Sequence, residues 1–257
     1  MRTRLGEQNP FEPGRAAFAW EHVPAGSDAH LDFGCYEGVF LDSLRAKGVR
    51  RLVGVDASSE AVERGRIRFP QIELVHMTQT IPVPFPNGAF SSVSLMDVIE
   101  HVDDQVGLLR ELHRVLRSDG ILIITVPGQY ALSFLDMGNF KFRFPRLHRW
   151  YYSARHSREE YERRYISNPD GLMGDISAKK GWHEHFSREK LGNLLRQGGF
   201  VPDNFDGSNF WNRFLVFPEL GLRWLPPARG LFRGLKSVDA RWFASSNLFC
   251  VARKAGG

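Results

Sequence analysis

The run LDFGCYEGVFL, Leu31 to Leu41, constrains the fold more than any other stretch of this 257-residue chain. An apolar strand carries an acid, Asp32, and then breaks into a turn punctuated by Gly34 and Gly38 before a helical pattern begins. A strand that feeds a helix through a glycine turn is the opening unit of an α/β sheet, and it presents backbone N–H groups and an open strand end to a nucleotide-like ligand. Glycine has no Cβ, so at both positions the backbone can turn tightly and a flat or charged ligand can approach it. A second acid follows at a matching place. Arg51-Leu52-Val53-Gly54-Val55-Asp56 reads as the next strand, and Asp56 lies 24 positions after Asp32, where a carboxylate can accept both hydroxyls of a ribose.

The alternation continues. After a short helix over 15–22, strands are expected near 31–35, 52–56, 72–76, 92–97 and 121–126, with helices near 38–47, 58–67 and 104–117. Leu108, Leu109, Leu112, Val115 and Leu116 fall at helical spacing for one buried face, while Ile121 to Val126 is a continuous apolar run suited to a strand covered on both sides. Ser187 suits an N-cap for a helix over 188–197 stopped by Gly198-Gly199, with strands over 200–205 and at SNLFCVARK completing the sheet. The expectation is a doubly wound, mostly parallel sheet with its ligand at the carboxyl ends of the first two strands. At 42% hydrophobic content the chain is expected to be one domain: a core over about 14–130, a cap insertion over about 131–185 and a C-terminal part over about 186–257.

The spacing decides against a dinucleotide site, because Gly34 and Gly38 are separated by three non-glycine residues and Asp32 stands directly before the turn. The pattern resembles motif I of the class I S-adenosylmethionine (SAM) dependent methyltransferases of the type 11/23 kind, usually acid-x-Gly-x-Gly-x-Gly. Tyr36 stands where that family has its middle glycine and would narrow the loop. IPVPFPNGAFSSVSLMDVIEHV, residues 81 to 102, and GLLRELHRVLRSDGILIITVP, residues 107 to 127, resemble the stretches that follow in the family. The resemblance implies a seven-stranded sheet and an enzyme that transfers methyl groups from SAM. It also implies that Asp32, Gly34, Cys35 and Gly38 line the amino-acid end of the cofactor, that Asp56 beside Ala57 holds the ribose, that Met77 and Thr78 flank adenine, and that Asp97 faces the methyl group.

Few side chains are obligatory for methyl transfer, which needs an aligned nucleophile and a group to take its proton. His101, four residues after Asp97, is one general-base candidate, and His185 in Trp182-His183-Glu184-His185-Phe186 is another. Asp97-Val98-Ile99-Glu100-His101 also resembles a metal-binding arrangement of quinone O-methyltransferases, but a loop-orienting role for Glu100 and His101 is favoured and no metal is expected. His183 and His185 lack a third ligand nearby. Tyr151, Tyr152, Arg155 and His156 are pocket candidates by position in the insertion.

Charge is uneven along the chain. Through Tyr130 there are 13 Lys and Arg against 17 Asp and Glu, a net of −4, and from Ala131 onward 21 against 12, a net of +9. The acceptor side is therefore expected to meet an anionic partner: a phosphorylated or carboxylated small molecule, an acidic membrane face, or RNA, for which no recognised binding motif or amino-methylating tetrapeptide is present. A solvated arginine-rich surface would read the same way. Residues 210 to 243, rich in Trp, Phe, Leu and Arg and broken by Pro218, Pro226 and Pro227, suit an apolar cover over the sheet edge with its arginines in water, a peripheral membrane element or a homodimer interface. Two distant cysteines and the absence of a signal-like or 18-residue apolar run point to a cytoplasmic protein, with the inner membrane face as its place of contact. The expected reaction is O-methylation of a sugar, glycan or other small or lipid-linked acceptor, with a quinone-like or lipid phenol as the alternative. A non-catalytic partner protein of the same fold is the reading outside the enzyme class.

Overall fold

The computed structural model describes residues 9–12, 14–129, 144–155, 157–162, 184–208, 231, 235 and 247–255. Its seven strands are β1 (Ala29–Phe33), β2 (Arg51–Asp56), β3 (Glu73–His76), β4 (Phe90–Met96), β5 (Leu116–Pro127), β6 (Phe200–Ser208) and β7 (Asn247–Lys254). They form one sheet in the order β3-β2-β1-β4-β5-β7-β6. The pairs from β3 to β5 are parallel, and β7 runs antiparallel to both β5 and β6. The expected doubly wound, mostly parallel sheet is what the chain folds into. Strand order reverses between β1 and β4, and such a switch point opens a crevice at the strands' carboxyl ends.

Seven α-helices accompany it among the described residues: α1 (Arg15–His22), α2 (Val39–Ser43), α3 (Ser59–Arg68), α4 (Gln105–Val115), α5 (Pro145–Arg155), α6 (Arg158–Tyr161) and α7 (Arg188–Gln197). Polar caps start α3, α4 and α7. Ser58 Oγ accepts from Ala61 N–H, Asp104 Oδ1 from Gly107 N–H and Ser187 Oγ from Lys190 N–H, each cap contributing about 1 kcal/mol. The alternating strand residues divide into two apolar layers. Leu31, Val53, Leu122 and Leu248 pack with Leu112 of α4 and Leu195 of α7. Leu52, Ile123 and Phe249 pack with Phe18 of α1 and Leu41 of α2. Burial on both faces is why these strands read as unbroken apolar runs.

Some boundaries differ from expectation. The helix anticipated over 38–47 is a short α2 that tightens into a 3-10 turn at Leu44–Lys47 and stops at Gly48, whose φ is +70°. The helix anticipated to 117 stops at Val115, and β5 begins at Leu116 instead of at 121, because Leu116 pairs with Phe90 ahead of an irregularity in the β4–β5 register. The insertion showed no strand period, and its described part is helical: α5 buries His148 against Tyr161 of α6.

Candidate active site

The turn after β1 is fixed by backbone groups of β2. Gly34 N–H and Cys35 N–H both donate to Val55 O, at 2.8 and 3.1 Å. Gly34 and Gly38 take φ of +86° and +82°, and a Cβ on Gly34 would stand 2.4 Å from Val98 Cγ2. A side chain is therefore excluded there on both counts. Tyr36, at the family's middle-glycine position, also takes a left-handed φ of +50°. Its backbone does what glycine would do. Tyr36 is 45% exposed and its ring meets Arg64 of α3, whose Nη2 donates to the phenol oxygen at 3.1 Å with the guanidinium 5.8 Å from the ring centroid. Arg64 also pairs with Glu37 at 2.7 Å. Gly65 brings α3 against the turn, since a Cβ there would lie 2.6 Å from Glu37 O. Neither Arg64 nor Gly65 was picked out from the sequence, although a glycine inside a helical run is a signal of close packing.

Asp56 ends β2 directly beside this turn. Its Oδ2 accepts from Tyr36 N–H at 2.7 Å and its Oδ1 from Ser58 N–H at 2.9 Å. Met77, partly buried against the core, donates its N–H to Asp56 O at 2.9 Å, while Ala57 and Thr78 are exposed. Asp56, Ala57 and Met77 thus share one corner with the glycine turn, and Thr78 adjoins it in sequence.

Asp32 is 1% exposed, and Ser94 of β4 donates to its Oδ1 at 2.5 Å. Burial pushes its pKa up to about 7, with the nearby Asp56 charge pushing the same way and the Ser94 hydrogen bond and Arg15 opposing. Burial likewise pushes the Cys35 thiol up, so this cysteine behaves as a packed apolar group. Asp97, just past β4, takes a left-handed φ of +54°, a conformation Asp tolerates and that often marks a working position. Thr125 Oγ1 donates to its Oδ1 at 2.8 Å, and Arg15 at the start of α1 forms an ion pair with its Oδ2. Glu100, buried behind Asp97, is held well above the usual carboxylate range by burial first and by the Asp97 charge second. Arg15 was read from sequence only as the start of a helix, yet it is the cation that faces this group of acids.

The two candidate bases are brought to neighbouring strand ends. His101 closes the 3-10 turn after β4, its Nε2 3.9 Å from Glu100 Oε1. His185 lies in the segment that runs along the end of β5, where Phe186 N–H donates to Pro127 O at 2.8 Å and Gln129 N–H to Phe186 O at 2.9 Å. A hydrogen bond of 2.6 Å from Gln105 Nε2 to Glu184 Oε2 ties the two segments together. Tyr152 stacks on His148 within the α5–α6 pair and Tyr151 borders it. His156, His183, the Arg155 side chain and residues 210–243, apart from Leu231 and Leu235, lie outside the described residues. Among the described residues no three His, Cys, Asp or Glu side chains converge to hold a metal, and no helix is long and apolar enough to cross a membrane.

Residues 15–203 match the family model described as methyltransferase domain. The chain belongs to the class I SAM-dependent methyltransferases. A probable SAM-dependent methyltransferase of Mycolicibacterium smegmatis is 34% identical over 112 residues, 44% of this chain and 42% of the relative. A ubiquinone/menaquinone biosynthesis C-methyltransferase of Geotalea uraniireducens is 38% identical over 79 residues, 28% of this chain and 33% of the relative. The chain thus spans about two fifths or less of the length of these relatives. The solved structure of a SAM-dependent methyltransferase from Mesorhizobium loti shares the fold of this methyltransferase, with a TM-score of 0.56, 17% identity and coverage of 93% of this chain and 96% of that one.

Proposed function

We propose that the chain transfers the methyl group of SAM to an acceptor hydroxyl, first among candidates a sugar, glycan or other small or lipid-linked molecule. The observation that carries the cofactor half is the pairing of Asp32 and Asp56 at the ends of adjacent strands around a turn that admits no side chain at Gly34. The residues fit the cofactor. The cradle at Gly34 and Gly38 gives close backbone approach, each Asp56 oxygen can accept a ribose hydroxyl beside its backbone N–H donor, and Asp32 and Asp97 offer negative charge to a cationic amino-acid end. Met77 supplies apolar surface for adenine, with Ala57 and Thr78 at its rim.

When bound, SAM supplies a sulfonium-activated methyl carbon open to in-line attack. The protein's part is to hold the acceptor in line, exclude water and take the acceptor's proton. His185 and His101, at the β5 and β4 ends, are the groups proposed to receive it. The basic second half and the exposed aromatic and aliphatic residues of its described part, Trp150 and Leu147 on α5 and the isolated Leu231 and Leu235, support such an acceptor. The same features motivate peripheral contact with an anionic membrane through 210–243. A quinone-like lipid phenol is the second reading; likeness to the quinone-pathway relative, a C-methyltransferase, supports that class of acceptor and not its oxygen as the methylated atom.

Transfer of isotope-labelled methyl from SAM to a panel of glycan, lipid-linked and phenolic acceptors tests the reading. Product with one class, lost in His185→Ala or His101→Ala while SAM binding persists, is the expected result. SAM binding without transfer to any class would move the chain to a partner role.

A further inference from the structure

Four polar side chains share one face of the β1–β4 pair in the middle of the sheet. His30 stands opposite Ser92 and Asp32 opposite Ser94 in the parallel register, and each is 0 or 1% exposed. His30 Nδ1 lies 2.8 Å from Ser92 Oγ, His30 Nε2 lies 2.9 Å from Ser94 Oγ, and Ser94 Oγ lies 2.5 Å from Asp32 Oδ1. Buried polar groups in such a place must satisfy one another.

Proton counting gives the chain two consistent states. A hydroxyl carries one proton and a neutral imidazole one N–H. When Asp32 is ionised it can only accept, so Ser94 donates to it, His30 Nε2–H donates to Ser94, and Ser92 donates to His30 Nδ1. When Asp32 is protonated every bond can reverse: Asp32 donates to Ser94, Ser94 to His30 Nε2, and His30 Nδ1–H to Ser92. Between the states Asp32 exchanges one proton with solvent and the ring proton changes nitrogen, while each serine keeps its own.

We propose that His30, Ser92 and Ser94 are a reversible hydrogen-bond relay that positions Asp32 and couples its charge to the cofactor's cationic amino-acid end. This rests on the reading that the site takes SAM. The surroundings confine the titration to Asp32. Asp56 of β2, Arg15 of α1 and Cys35 of the turn face it, and burial brings its pKa up to about 7. Lys47, after α2, acts on His30, the Phe40 ring of α2 meets the imidazole edge at 6.1 Å, and burial drives that ring down to about 3, so it changes tautomer without gaining charge. His30, Ser92 and Ser94 are positioning residues, because of the four only Asp32 adjoins the glycine turn, where its charge would act on the ligand.

Nitrogen-detected NMR of the His30 ring in the cofactor-free protein tests this directly, since the two neutral tautomers have distinct shifts. The expected result is a change from Nδ1–H to Nε2–H with a midpoint near pH ~7, and the same change on adding SAM at about pH 6. One tautomer throughout would overturn the relay. In Ser94→Ala, which removes only a hydroxyl, SAM affinity at neutral pH should fall about tenfold and recover as pH rises, its midpoint moving up by about one unit. A wild-type pH profile in that variant would contradict the coupling. A tautomer change in wild-type protein that binds no SAM would keep the proton relay, overturn its coupling to the cofactor and sink the functional reading.

Discussion

Asp32 and Asp56 end neighbouring parallel strands, and the sheet holds them in opposite ways. Asp56 is half-buried and oriented by two backbone N–H groups, from Tyr36 and Ser58, which no side-chain substitution removes. Asp32 is sealed between β1 and β4 and depends on a hydroxyl that another residue's ring supports. The proposed ribose end of the site is built into the backbone, whereas the proposed amino-acid end is built from side chains whose protons can reverse. One corner is therefore set by chain geometry, and the other responds to pH.

Substituting each acid by its amide separates the two. In Asp56→Asn the proposed contacts to two ribose hydroxyls weaken together, so SAM affinity is expected to drop about 100-fold, and by less in mild acid because loss of the Asp56 charge lowers the Asp32 pKa. Calorimetric titration across a pH series would show it. In Asp32→Asn the expected loss is about tenfold, concentrated above neutrality where the carboxylate would be charged. That variant should also melt at a higher temperature than wild type in alkaline buffer. The sign follows from a folded-state pKa raised to about 7: wild-type stability falls as pH rises from the ordinary carboxylate range to about 7 and is level beyond it. The gain in Asp32→Asn should therefore vanish in acid, and a melting point lower than wild type in alkali would contradict the buried-charge account.

Arg15→Gln tests the space between the acids. Its ion pair with Asp97 is mostly exposed on the arginine side, so stability should change by less than about 1 kcal/mol. Removing a cation that faces Asp32 should nevertheless move the SAM-binding midpoint upward, by less than Ser94→Ala does. Tyr36→Gly should have the smallest effect. Glycine relieves a left-handed φ at a cost of roughly 1 kcal/mol to tyrosine, offset by the lost Arg64 contacts, so affinity should stay within about threefold. A large gain in affinity would show that the tyrosine side chain does obstruct the site.

The proposed ribose corner was legible in the sequence because it is local. A glycine turn, an acid at each of two strand ends and a serine cap are all short-range signals, and the strands of the core were placed to within a few residues. The relay was not legible. Ser92 and Ser94 are two of the three serines of β4, and their meaning depends on β4 pairing with β1 across 62 residues. Arg15 meets Asp97 across 82 residues, which no pattern within α1 announces. The contact between the Tyr36 ring and Arg64 of α3 spans 28 residues and was not legible either. The start of β5 was missed because RSDG reads as a turn until Leu116 is seen to pair with Phe90.

The central claim is that this chain holds SAM at the ends of β1 and β2. Calorimetric titration of SAM and of S-adenosylhomocysteine into the wild-type protein tests it most directly. Saturable binding of both at micromolar concentrations, with proton release on SAM binding that depends on pH near neutrality, is the predicted result. Folded protein that binds neither would contradict the account.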